Sequence, residues 1–114
     1  MEKNKFNEIV LKYFKEIKNQ YEHDKKNIWD NEDIGSTIVF EDYLMPYIYE
    51  NINSTEVMDR LANLLEELLS YHDDFCKEVL YCSFFEKIHY ENSEDKFIKY
   101  FKPKTREFYD KLKF

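Results

Sequence analysis

Residues 55–71, TEVMDRLANLLEELLSY, decide the fold class. Val57, Leu61, Leu64, Leu65 and Leu68 recur at three- and four-residue steps, and Met58, Ala62 and Leu69 widen the stripe. That period belongs to an α-helix with one buried face. Leu, Ala, Glu and Arg are strong helix formers, so propensity and pattern agree. Asn53, Ser54 and Thr55 supply polar side chains for its first turn.

Upstream, Phe6, Ile9, Val10, Tyr13, Phe14, Ile17 and Tyr21 keep the same period, which predicts one helix from Lys3 to Tyr21. The polar stretch around Trp29 reads as a connection. Ser36 is an expected N-cap for a second helix to Asn53, and Pro46 predicts a kink or a split there. Downstream, Asp73 or Asp74 is expected to cap a helix to His89. Its two adjoining apolar rows are Phe75, Val79, Cys82, Phe85 and Leu80, Phe84, Ile88. Asn92-Ser93 ends that pattern, a short helix covers Glu94–Phe101, and Thr105 is expected to cap a last helix after Pro103. With one glycine and two prolines in 114 residues, the chain lacks the turn residues that a sheet-rich fold requires. The expected architecture is an all-α, compact bundle of five to six antiparallel helices in one domain, with a helical repeat as a variant.

No run of about 18 apolar residues exists, and the first twenty residues are charged throughout, unlike a signal peptide. A cytoplasmic protein without a membrane span is expected. Cys76 and Cys82 are six apart, so on a helix they point about 120° from each other and cannot bond. Both are expected as reduced core residues.

Charge is distributed unevenly. The net charge is −7, yet residues 28–95 hold seventeen acidic and only three basic side chains, while residues 96–114 hold seven basic and two acidic ones. Such an acidic middle repels nucleic acid and anionic lipid and attracts a basic protein. A solvated acidic surface, balanced inside the fold by the terminal helices, is the competing explanation. The candidate partner-binding residues are Glu66, Glu67, Asp73, Asp74 and Glu78, with Tyr71 and Tyr81 as aromatic anchors. Any one of the ten tyrosines can equally be a core-edge residue.

Neither constellation that suggests chemistry is complete. His72, Asp73, Asp74 and Cys76 lack the converging ligand set of a zinc site. Cys82, Glu86 and His89 share a stripe but lack an orienting third group. Glu66 and Glu67 point about 100° apart on a helix, so neither primes the other for acid–base work. No catalytic residue, metal or cofactor is expected.

The segment LLEELLSYHDDFCKEVLYCSFFEKI (64–88), followed by YFKPKTREFYDKL (100–112), resembles an uncharacterised family of small bacterial all-helical proteins. The matching steps are Phe84-Phe85-Glu86 and Lys102-Pro103-Lys104-Thr105. Small acidic helical proteins of that kind resemble immunity proteins, which neutralise toxin domains of polymorphic or contact-dependent systems. The resemblance therefore implies a basic toxin domain as partner and carries over no catalytic residue. The alternative is a helical adaptor or regulatory module that takes a peptide or helix in an apolar groove.

Overall fold

A computed structural model describes residues 1–114, which form seven helices and no strand. They are α1 (Lys3–Tyr13), α2 (Lys18–Asn27), α3 (36–50), α4 (Thr55–Ser70), α5 (74–90), α6 (Glu94–Ile98) and α7 (Pro103–Asp110). Helix α4 lies between α1 and α7, while α3 packs on α1, α2 and α5. Twenty-six buried residues join in one core. The Cα radius of gyration is 13.6 Å, near the roughly 13 Å of a compact 100-residue chain. No helix is long and apolar enough to cross a membrane.

The seventh helix arises because the expected Lys3–Tyr21 helix is two. Phe14 leaves helical geometry at φ −131°, ψ 76°, and residues 15–17 form a 3₁₀ turn before α2. The break has a partner in α4. The Arg60 guanidinium donates to the freed Tyr13 carbonyl at 3.0 Å and to Glu16 at 2.9 Å, and lies 4.7 Å from the Phe14 ring centre. Apolar periodicity runs through this break undisturbed because Phe14, Ile17 and Tyr21 all remain buried.

Helix α3 is not split at Pro46. Residues Val39–Leu44 form a π-helix, and Pro46 falls in the first turn of the α-helical segment that follows. The wider turn moves the upstream carbonyls away from the proline ring, so the missing donor is absorbed without a break. Gly35, rather than Ser36, is the N-cap of α3. Ser36 is instead buried, and its hydroxyl donates to the Asn7 side chain at 2.9 Å. Asn7 in turn donates to the Ile34 carbonyl at 2.7 Å. Sequence pattern gave no signal for Asn7, a buried polar residue on the inner face of α1 whose bonds fix α1 against the start of α3.

A second π segment, Tyr81–Phe85, interrupts α5 and packs on the first. One extra residue in the turn shifts the downstream register by one. Cys82, expected in the core, is exposed because it lies about 120° around the helix from the buried Cys76, while Ser83, on the same stripe as Val79 and Leu80, is buried, with its hydroxyl on the Val79 carbonyl at 2.5 Å. Phe84 and Phe85 both turn inward. The Phe84 ring lies 6.0 Å from Phe40, 5.4 Å from Phe97 and 4.9 Å from Phe85, all near edge-to-face. Cys76 is buried, and both cysteines are free.

Candidate partner-binding face

The seven candidate residues do not share one surface. Glu66 and Glu67, adjacent on α4, reach in different directions. Glu66 accepts the backbone N–H groups of Lys104 and Thr105, each at 2.9 Å, and the Thr105 hydroxyl at 3.1 Å. It thus satisfies the open donors of α7, whose N-cap Lys102 has no side-chain cap of its own. Thr105 is buried inside that helix rather than standing before it.

Glu67 faces α1. It accepts the Tyr13 hydroxyl at 2.7 Å and the Tyr71 hydroxyl at 3.2 Å, and pairs with Lys12 at 3.4 Å. Burial acts to raise its pKa, but the bonds from Tyr13, Lys12 and Tyr71 outweigh burial and hold the carboxyl below its ordinary value. Tyr71 is therefore half-exposed and tied to its own helix. Asp73 is the N-cap of α5, accepting the Cys76 N–H at 3.0 Å, and also meets the Met1 ammonium at 2.5 Å. These two bonds hold its carboxyl low.

The tyrosine hydroxyls repeat the Glu67 pattern elsewhere. Tyr43 donates to Asp24 at 2.6 Å, Tyr47 to Glu16 at 3.0 Å, and Tyr109 to Glu94. A phenol satisfies a carboxylate without neutralising it, so this packing preserves negative charge. Sequence periodicity placed these tyrosines at the edge of the core, and their acceptors come from other helices that no local pattern identifies.

The remaining candidates lie on α5. Asp74 and Glu78 are exposed and one turn apart, and Tyr81 is half-buried against the Phe114 ring at 5.9 Å. Further along α5 comes Glu86, and across from it Glu41 on the π segment of α3. Partial desolvation, and then the carboxylates of Glu86, Glu78 and Glu41, push the exposed Cys82 thiol up. That environment disfavours a thiolate nucleophile. None of the eleven ion pairs in the molecule involves Glu41, Asp74, Glu78 or Glu86. Sequence reading put Glu86 on the Cys82 stripe but not in the binding set, and it missed Glu41 because that residue comes from another helix, which no local pattern identifies.

No Lys or Arg from the basic ends of the chain forms an ion pair with these four carboxylates, and the C-terminal Phe114 reaches the face only as a ring against Tyr81. Of the seven Lys and Arg residues in 96–114, only Arg106 and Lys111 form ion pairs, with Asp110 and Glu107 of their own helix. The other sequence constellations separate. His89 turns to Glu94 at 3.0 Å rather than to Cys82. His72 is exposed in a left-handed turn at φ 51°, away from the buried Cys76. No three His, Cys, Asp or Glu side chains are placed to share a metal ion.

A small all-helical protein with one core and an uncompensated acidic surface is the class that this geometry defines. The chain belongs to the family described as a domain of unknown function, DUF7674, whose profile matches residues 7–114. No curated protein and no solved structure matches it.

Proposed function

We propose that this chain is a non-catalytic cytoplasmic binding protein of the immunity type, which neutralises a basic protein domain through Glu41, Asp74, Glu78 and Glu86, with Tyr81 as an aromatic contact. One observation carries the reading: these carboxylates have no internal cation, although the chain holds seventeen Lys and Arg residues. Carboxylates left unpaired on one side of a fold repel one another and draw in cationic surfaces. The proposed face keeps Asp74, Glu78 and Tyr81 from the sequence-derived set. Glu66, Glu67 and Asp73 serve the bundle itself through the bonds to Thr105, Tyr13 and Met1.

The test takes the product of the adjacent gene as the partner. Expressed alone it should arrest growth, and co-expression with this chain should restore growth. Replacement of Glu41, Glu78 and Glu86 together by Gln should lower the association rate at low salt by roughly tenfold and flatten its salt dependence. A partner without toxicity removes the immunity role. Association that is insensitive to salt and to the triple substitution removes the acidic face.

A further inference from the structure

A cleft of about 320 Å³ lies between the end of α4, the start of α5 and α7. Its apolar wall is Leu69, Phe108 and Leu112, and its rim carries Lys77, Lys104 and Lys111. We propose that this cleft binds a small organic anion with an apolar body, its acid group held between Lys77 and Lys104.

Two properties point to that ligand class. The first is charge: the ammonium groups of Lys77 and Lys104 form no ion pair, in a chain with 24 Asp and Glu residues, although the Lys104 backbone N–H bonds to Glu66. The single acidic side chain in the lining, Glu107, is already paired with Lys111 at 3.0 Å. The cleft thus carries a local positive charge on a molecule of net −7, opposite in sign to the face around Cys82. A partner suited to one surface is repelled by the other, so the cleft is a separate site.

The second property is shape. The volume lies at the lower end of the roughly 300–1,000 Å³ typical of small-molecule sites. A helix, about 10 Å across with its side chains, is too wide for such a space. Leu69 is buried at its base, while Phe108 and Leu112 are half-buried along its wall. An apolar body laid over the buried Leu69 displaces water from Phe108 and Leu112, while the ammonium groups attract the acid.

Decanoate and decanol, matched in chain length, test the inference on the full chain by calorimetry and by NMR of labelled Leu and Phe. Decanoate should shift the Leu69 and Phe108 signals and bind at least tenfold more tightly than decanol. The double substitution K77Q/K104Q should remove most of that preference without lowering Tm, whereas E41Q/E78Q/E86Q should leave it intact. Equal binding of the two probes would overturn the proposal. So would signal changes confined to residues away from the cleft, or an undiminished decanoate affinity in K77Q/K104Q.

Discussion

Glu66 on α4 accepts the backbone N–H of Thr105 on α7 at 2.9 Å, across 39 positions of sequence. The same carboxylate takes the Lys104 N–H and the Thr105 hydroxyl, so one side chain holds the entry of the last helix. Charge-assisted bonds of this kind complement the positive end of a helix. Glu66→Ala should cost about 1–2 kcal/mol, in the range of lost helix caps. Hydrogen exchange should speed up first at residues 103–110. Glu66→Gln keeps one acceptor oxygen and should lose less. Unchanged protection of α7 in the alanine variant would show that the cap is dispensable.

Tyrosine–carboxylate pairs make stability fall at both ends of the pH scale. The hydrogen bond from Tyr43, then those from Gln20 and His23, lowers Asp24 to a pKa of about 2. A depressed folded-state pKa gives stability that is present above the ordinary value near 4 and is lost as pH falls toward 2. Tyr13, Tyr49 and Tyr109 behave in the opposite sense. Burial, foremost, pushes each phenol up to about 12. Their contribution is present below pH 10 and is lost as pH rises from 10 to 12. Urea midpoints measured across pH 2–5 should place the acid transition of Tyr43→Phe above that of the wild type. Coincident acid transitions would remove Tyr43 as the cause.

The α-helical class was legible in the sequence because Leu61, Leu64, Leu65 and Leu68 express the helical period within a single turn or two, and all four are buried. The Asp73 and Ser54 caps were legible for the same reason, since each bonds an N–H three residues ahead. What the sequence hid are relations between distant residues. Arg60 stabilises the break at Phe14 from another helix, and Glu66 caps α7 from α4. The π segments alter register by one residue while leaving the apolar composition of α3 and α5 unchanged. An apolar row from Phe75 to Phe85 runs through the exposed Cys82 and predicts it inside, whereas the period of Cys76, Val79 and Leu80 reaches the polar Ser83, which is buried. The candidate site suffered most from this. Its carboxylates were visible as a charge excess, but which of them are consumed by tyrosines, caps and the amino terminus depends on tertiary contacts alone.

The register of α5 can be checked with substitutions at Phe85 and Cys82. Phe85 is fully buried and meets Phe84, Phe101 and Phe108, so Phe85→Ala should destabilise by about 3–5 kcal/mol. Cys82→Ser, at an exposed position, should change stability by less than about 0.5 kcal/mol. An uninterrupted α-helix from the buried Cys76 would turn position 85 to the opposite side of the axis, where truncation costs little. Chemical denaturation of the two variants distinguishes these registers.

Arg60 joins three elements in a way that lysine cannot reproduce. One guanidinium nitrogen serves both the Tyr13 carbonyl and Glu16, a second reaches Glu56 at 3.3 Å, and the plane covers the Phe14 ring. Its ε-nitrogen lies 3.2 Å from Glu56 but out of line for a hydrogen bond, so the group is already not fully satisfied. A lysine ammonium is a point donor without the planar fork. Arg60→Lys should therefore cost about 1–2 kcal/mol despite the retained charge. The loss should appear as faster hydrogen exchange at residues 14–17, where the Tyr13 carbonyl loses its donor and the 3₁₀ turn loses its anchor. If the lysine variant matches the wild type in denaturation and in exchange there, ordinary charge pairing holds the α1–α2 break and the guanidinium geometry is irrelevant to it.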